Sequence, residues 1–209
     1  MNRTVFFIDG FNLYHSLLDP HSGRSQYKWL NLRKLAEQYL LSKDILTDIL
    51  YFSALPTWNA EKRNNHEAYL HALESENIQI ILGKFKKVTR NCLLTCNLGR
   101  NNSFETFEEK ETDVNIAIHL LEYGLTDRFD KAIIVSGDSD LIPPIKRVKE
   151  LSPHKIIGCV IPKQGHDLGN HCDQRVRLKE SILKNSLFPR EIKFKGKTIV
   201  CPKHDWLPQ

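Results

Sequence analysis

Short, wholly apolar segments alternate with amphipathic ones along this chain, and that alternation limits its fold more than any other feature. The apolar segments are short and rich in β-branched residues, which is typical of buried strands. We predict strands at residues 4–8, 48–55, 77–85, 131–137 and 155–161. Strands without a polar face belong to parallel sheets that helices cover on both sides. The sequence therefore predicts an α/β fold with a central, mainly parallel sheet.

The amphipathic segments between the strands are predicted helices. They span residues 31–41, 59–76, 112–124 and 141–151. The third opens with a capping threonine and stops at a glycine, and the fourth has prolines in its first turn. Residues 89–110 are polar and predict a loop. The tail EIKFKGKTIVCPKHDWLP predicts two short strands about a Lys-Gly turn, an appended hairpin.

The bulk composition fits one globular domain of ordinary size with an appendage. The chain has 209 residues, of which 41% are hydrophobic and 26% are charged. No apolar run is long enough to span a bilayer, and the N-terminal apolar stretch is too short for a signal peptide, so we expect a cytoplasmic location. The formal net charge of +5 permits a polyanionic partner without requiring one.

The five cysteines are scattered and odd in number, so reduced thiols are expected instead of a disulfide framework. Cys92 and Cys96 could form half of a zinc site. Structural zinc usually takes four ligands, often from paired CxxC units, and the other cysteines are distant in the sequence. Two free thiols under a loop are therefore the favoured interpretation.

Aspartates follow two of the predicted strands and open one of the helices. Asp9 follows the strand TVFFI, Asp138 and Asp140 follow AIIV, and Asp113 lies in the first turn of the helix that begins near Thr112. The carboxyl ends of parallel strands meet at one edge, where the functional crevice of such sheets lies. The helix must begin at that edge to lead back to the next strand. Four carboxylates are therefore expected to converge.

Each acid alone has a structural explanation. Asp9-Gly10 is a turn dipeptide, Asp113 suits a helix N-terminus, and Ser139 or Asp140 could cap the helix that follows. Together, however, four carboxylates repel one another and raise each other's pKa unless a cation compensates. Mg²⁺ or Mn²⁺ provides that compensation and prefers oxygen ligands. One or two such ions suit phosphodiester chemistry.

Three motifs resemble, in order and spacing, the NYN domain of the PIN-like nuclease superfamily in its bacterial LabA-like branch. They are FFIDGFNLY, KETDVNIAIHLL and IIVSGDSDLIPPIKRVKE. The resemblance runs from about residue 4 to residue 178. It implies a PIN-like three-layer α/β/α fold and metal-dependent RNA cleavage. We expect an NYN domain over residues 1–180 and a C-terminal extension, residues 181–209, packed on it.

The resemblance also implies roles for individual residues. Asn12 matches the asparagine of the family's IDGxN motif, and Ser136 matches the serine or threonine before GDSD. We expect both to bind substrate, by positioning ligands or a phosphate. Lys110, just before the helix, is a candidate substrate contact, and Asp173 resembles a later acid of the family. The family's metal ligands correspond by position to Asp9, Asp113, Asp138 and Asp140.

The chain departs from many relatives at His119, where they carry a second aspartate on the same helix. His119 could face the site as a proton carrier or weak ligand. A structural role is the favoured alternative, because His119 lies far along the helix from its N-terminus. The departure leaves open whether one metal ion binds or two.

Together these features predict a Mg²⁺- or Mn²⁺-dependent ribonuclease that acts on single-stranded or loop RNA, as an endonuclease in preference to an exonuclease. The segment KFKK (84–87) with Arg90 could follow a phosphate backbone, while Phe85 or Phe11 offers a stacking surface. The alternative is a non-catalytic module that binds RNA or protein and retains the acids. RNA versus DNA, and a homo-oligomeric state, are left open.

Overall fold

The computed structural model describes residues 1–19, 22–91, 103–162 and 167–208. Its strands are β1 (Asn2–Asp9), β2 (Asp44–Ser53), β3 (Gln79–Leu82), β4 (Lys84–Asn91), β5 (Ser103–Lys110), β6 (Lys131–Val135), β7 (Ile156–Ile161), β8 (Gln174–Arg177), β9 (Glu191–Phe194) and β10 (Lys197–Val200). Its α-helices are α1 (Gly10–Leu17), α2 (Leu32–Glu37), α3 (Ala60–Glu74), α4 (Thr112–Leu125), α5 (Ile142–Leu151) and α6 (Glu180–Asn185).

Six strands form the central sheet in the order β3-β2-β1-β6-β7-β8, and every neighbouring pair is parallel. The central strand β1 sends Phe6 and Ile8 into one core and Val5 and Phe7 into the other, because successive side chains of a strand point to opposite faces. All four side chains are fully buried. Burying a side chain of this size contributes about 1.5–3 kcal/mol, so β1 holds the two cores together.

Helices cover both faces of the sheet. The apolar sides of α1, α2, α3 and α6 meet one face, and those of α4 and α5 meet the other. The predicted three-layer α/β fold with a parallel sheet is therefore confirmed. No helix in the described part of the chain is long and apolar enough to cross a membrane.

An antiparallel two-stranded arm takes the place of the end of one predicted strand and of a predicted loop. The predicted strand 77–85 breaks at Gly83, where β3 ends and β4 leaves the sheet to pair with β5. The loop predicted over 89–110 is therefore wrong wherever that segment is described. Much of this two-stranded arm is exposed to solvent, so its residues are polar and lack the apolar pattern that identifies a buried strand. Lys87 and Glu105, 2.7 Å apart, pair across it.

The C-terminal hairpin of β9 and β10 is confirmed. Lys195 and Gly196 form its turn with φ angles of +49° and +75°, and two positive φ values are what a tight hairpin turn requires. The segment after α6 contacts the body of the protein: Leu187 bridges to Leu30, and Phe188 and Cys201 are buried in the core on the α1 side.

Candidate active site

The first helix was missed by the sequence analysis because Asp9-Gly10 indicates a turn. Instead Asp9 caps α1, and its Oδ1 accepts a hydrogen bond from the backbone N–H of Asn12 at 2.9 Å. A Cβ built on Gly10 would lie 2.5 Å from the Tyr51 ring and 2.7 Å from the carbonyl oxygen of Phe52. Only glycine lets α1 begin this close to β2, so it fixes where Asp9 points.

The carboxyl ends of β1 and β6 lie side by side, with Ile8 opposite Val135. They form the point where the strand order reverses, the usual crevice of an open parallel sheet. Two contacts join the ends: the Ser136 hydroxyl donates to Asp9 Oδ2 at 2.8 Å, and the Gly137 N–H donates to Asn12 Oδ1 at 3.0 Å.

An acidic cavity of about 290 Å³ opens at this point. We define the acidic cavity by its lining residues, Asp9, Phe11, Asn12, His15, Ser16, Glu109, Thr112, Asp113 and Asp138. Three of the four predicted aspartates thus come together. Asp140 does not line the cavity; it is exposed, and its N–H donates to Asp138 Oδ1 at 2.9 Å.

Glu109 is an acid that the sequence analysis did not single out. It lies on β5 and accepts hydrogen bonds from both the backbone N–H and the hydroxyl of Thr112, so it stabilises the start of α4 beside Asp113. Gly83 permits this approach, because a Cβ there would lie 2.5 Å from the Lys110 carbonyl oxygen. The sequence analysis missed Glu109 because it predicted a loop where β5 lies.

The cavity concentrates negative charge. Burial raises the pKa of Asp9 to about 6, and the charges of Asp138 and Glu109 add to the rise, although hydrogen bonds from Asn12 and Ser136 oppose it. Burial also raises the pKa of Asp113 to about 6, with contributions from the charges of Asp9, Asp138, Glu109 and Asp140. Either a bound proton or a bound cation would stabilise such carboxyl groups, because each reduces the repulsion between their charges.

The donor set of the cavity has the chemistry of a Mg²⁺ or Mn²⁺ site, because carboxylate and amide oxygens are the ligands that hard divalent ions prefer. Its geometry is open. Among the described residues, no group of three or more His, Cys, Asp or Glu side chains is arranged so that it could hold a metal ion. The half-buried Asp113 and Asp138 would have to turn toward a bound ion.

Lys110 and His119 lie apart from the cavity lining. The exposed Lys110 forms an ion pair with Glu108 at 3.1 Å. His119 Nδ1–H donates to the Asn115 carbonyl at 2.8 Å, and its ring packs edge-on against Phe52 at 5.5 Å. This geometry agrees with the structural interpretation of His119.

Asp173 lies at the opposite edge of the sheet, where β8 begins. There it accepts from the Ile157 N–H at 2.8 Å and pairs with Lys149. Cys92 and Cys96 lie outside the described residues.

A second, larger cavity of about 570 Å³ adjoins the first. We call it the aromatic groove, because eight of its lining residues are aromatic: Phe11, Tyr14, Tyr51, Trp58, Tyr69, Phe85, Phe107 and Trp206. Lys28, Lys62, His66 and Lys203 line it too. Phe11 and His15 line both cavities, so the two lie side by side at these residues.

A family model described as the NYN domain matches residues 3–179. A curated relative, the 6-hydroxy-3-succinoylpyridine 3-monooxygenase HspA of Pseudomonas putida, is 25% identical over 82% of this chain and 63% of its own length. The chain thus spans less than two thirds of that relative. The crystal structure of a protein of unknown function from Vibrio parahaemolyticus matches with a TM-score of 0.56 at 14% identity, covering 90% of this chain and 97% of that one. That likeness shows a shared fold.

Proposed function

We infer the function from the premise that this chain belongs to the NYN domain family, part of the PIN-like nuclease superfamily. We propose that it is a metal-dependent ribonuclease that cuts single-stranded or loop RNA internally. The observation that carries the proposal is the acidic cavity, where Asp9, Asp113 and Asp138 meet at the strand-order reversal.

In this proposal Asp9, Asp113 and Asp138 hold Mg²⁺ or Mn²⁺, with Asp140 contributing charge from outside the lining. The bound ion would supply activation of a water and stabilisation of charge on the phosphate oxygens. One carboxylate of the cavity would orient that water. Because Asp9 is buried and anchored twice, we assign it the fixed position, and assign movement to the half-buried Asp113 and Asp138.

Asn12 and Ser136 act in this scheme as positioning residues. The Asn12 amide oxygen holds the Gly137 N–H, while the Ser136 hydroxyl holds Asp9 and also accepts from the Asp138 N–H at 3.1 Å. Both therefore orient the carboxylates. Lys110 is kept as a proposed contact to the substrate strand, reached when its side chain leaves Glu108.

The test is cleavage of a labelled linear RNA and a circular RNA with Mn²⁺. We expect wild type to cut both, since a circle has no end for an exonuclease to start from. Asp138→Asn should lose cleavage, whereas the matched variant Asp48→Asn, outside the cavity, should retain it. Cutting of the linear RNA alone would overturn internal cleavage, and equal cutting by wild type and Asp138→Asn would overturn the site.

A non-catalytic RNA- or protein-binding module is the second candidate. It is favoured by two observations: the metal-ligating geometry is open, and His119, where the family resemblance leads us to expect an acid, packs on Phe52. RNA binding by wild type that Mn²⁺ never converts into cleavage would select this candidate.

The name of the Pseudomonas putida relative raises a third activity, oxidation of a pyridine compound. The aromatic groove favours it, because a flat heterocycle suits a cavity lined by aromatic rings. A rise in the thermal midpoint on adding 6-hydroxy-3-succinoylpyridine would support it, and no rise would speak against it.

A further inference from the structure

The wall of the aromatic groove is a continuous series of ring contacts. Trp58 stacks on Phe107 with ring centroids 4.0 Å apart and an interplanar angle of 11°. Phe85 meets Trp58 edge-on at 4.6 Å, and Phe11 meets Phe85 at 5.5 Å. Trp58 is still 40% exposed, so aromatic surface remains available to a ligand.

The series ends at the acidic cavity. Phe11 lies two residues after Asp9, contacts His15 at 5.0 Å between ring centroids, and lines both cavities together with it. A molecule with one part against Trp58 and another part near Asp113 would therefore pass over Phe11 and His15, where the two cavities adjoin.

Cationic side chains also line the aromatic groove. Lys203 pairs with Glu61 at 3.0 Å near solvent, and Lys28, whose side chain is only 10% exposed, pairs with Asp205 at 3.4 Å. Among the described residues, Lys62 forms no ion pair with a carboxylate. Lysines beside stacked rings suit a ligand that carries both a flat ring and phosphate.

The inner wall offers polar groups that can meet the edge of a ring. His66 Nε2 lies 3.3 Å from the Ser53 hydroxyl. Burial lowers the pKa of His66 to about 4, so its imidazole is neutral at pH 7 and has one nitrogen that donates and one that accepts. This wall adds hydrogen-bonding capacity without adding charge.

We propose that the aromatic groove binds an unpaired base of the RNA strand, which stacks on the Trp58 wall while the adjoining phosphate enters the acidic cavity. This inference rests on the proposed function and deepens it. A base inside a duplex is covered by its neighbours and cannot enter, so the groove would restrict cleavage to single strands and loops.

The experiment is a double-mutant cycle that measures binding affinity and combines one change in the protein with one change in the RNA. It uses an Asp138→Asn background so that the RNA strand is not cleaved. The probe is a labelled single-stranded oligonucleotide in which one nucleotide at a time is abasic, so the ring is lost and the phosphate kept. Trp58→Ala should weaken binding of the intact oligonucleotide by about 5- to 150-fold, the range of one base–aromatic stack. One abasic position should cost a similar factor, and the two changes together should cost no more than either alone.

Two controls accompany the cycle. Phe104→Ala removes a ring that is 52% exposed and outside the groove, and binding should not change. Trp58→Phe keeps a ring and should keep most of the affinity, which separates a loss of stacking from a loss of folding.

The outcomes separate this inference from the ribonuclease proposal. If Trp58→Ala binds like its parent, or if its effect multiplies with that of every abasic position, the base site is overturned even where wild type cleaves RNA. Free nucleosides could also be tested as competitors of the labelled oligonucleotide. If they displaced it at far lower concentrations than unlabelled RNA does, the groove would be a small-molecule site and the proposed base site would be overturned. If the cycle holds but wild type never cleaves, the base site stands and the ribonuclease proposal fails.

Discussion

The Ser136 hydroxyl donates a 2.8 Å hydrogen bond to Asp9 Oδ2, and it joins the ends of β1 and β6 inside the protein. The two residues are far apart in sequence, yet this contact sets where the two acidic motifs meet. Asp9 is 3% exposed, so its carboxylate depends on protein donors instead of water.

Ser136→Ala tests that dependence. The change removes the donor to Asp9 and the acceptor for the Asp138 N–H, and a hydrogen bond to a charged group contributes about 1.5–3 kcal/mol. We expect the free energy of unfolding to fall by about that amount at pH 7, measured by urea titration. Ser139→Ala, on an exposed neighbour, should be nearly neutral, and an equal loss there would contradict the assignment.

Asp138→Asn separates charge from structure. Asparagine keeps the side-chain oxygen that caps the Asp140 N–H, while the repulsion felt by Asp9 and Asp113 is relieved. Stability without metal should stay equal or rise, and Mn²⁺ affinity should fall about tenfold or more. Thermal midpoints in EDTA and in a Mn²⁺ series measure both. A large loss of midpoint in EDTA would show that Asp138 is mainly structural.

The raised carboxyl pKa values predict how stability depends on pH. Asp9 and Asp113 have folded pKa values of about 6 against ordinary values of 3.8, so between those limits the folded state binds more protons than the unfolded one. Stability without metal should therefore fall as pH rises from about 4 to about 6. For the buried Asp9 the change is on the order of 2 kcal/mol. Urea titrations across that window measure it, and Asp9→Asn should flatten the slope. Mn²⁺ binding should tighten as pH rises through about 6, because the ion competes with protons.

Gly10→Ala tests the close approach of α1 to β2. The new Cβ would lie 2.5 Å from the Tyr51 ring and 2.7 Å from a backbone oxygen, and the backbone cannot turn aside as a flexible side chain can. We expect a loss of at least about 1–3 kcal/mol in unfolding free energy. Gly158→Ala is the matched control, because its Cβ would meet only ordinary contacts at 3.6 Å or more. Equal stabilities of the two variants would rule out the close contact.

His119→Asp distinguishes a structural from a catalytic role. The imidazole contacts Phe52 and the Asn115 carbonyl, and an aspartate there would lose both contacts and place a charge beside an aromatic ring. We expect a cost of about 1–3 kcal/mol with no gain in Mn²⁺ affinity. Affinity and thermal midpoint should be measured on the same sample. Tighter Mn²⁺ binding would return His119 to the site.

The strand ends could be predicted because buried parallel strands are recognisable in the sequence as short apolar runs. The topology of a parallel sheet then determines which edge carries Asp9 and Asp138. Glu109 could not be found in this way. Its strand shows no buried apolar face, and its place beside Asp113 depends on pairing with β4, a contact between distant parts of the chain. The α1 helix was missed for a local reason: a capping Asp followed by Gly has the same letters as a turn.

The strand β5 carries Phe107 and Glu109 two residues apart, one lining the aromatic groove and the other the acidic cavity. Alternation along a strand puts both side chains on the same face, separated by about 7 Å. In the proposed complex this spacing would set the distance between the stacked base and the phosphate. If β5 shifted by one residue in its pairing with β4, the Phe107 and Glu109 side chains would both turn to the opposite face of the arm. A change of register would therefore remove the aromatic ring and the acidic side chain together, and could not change one without the other.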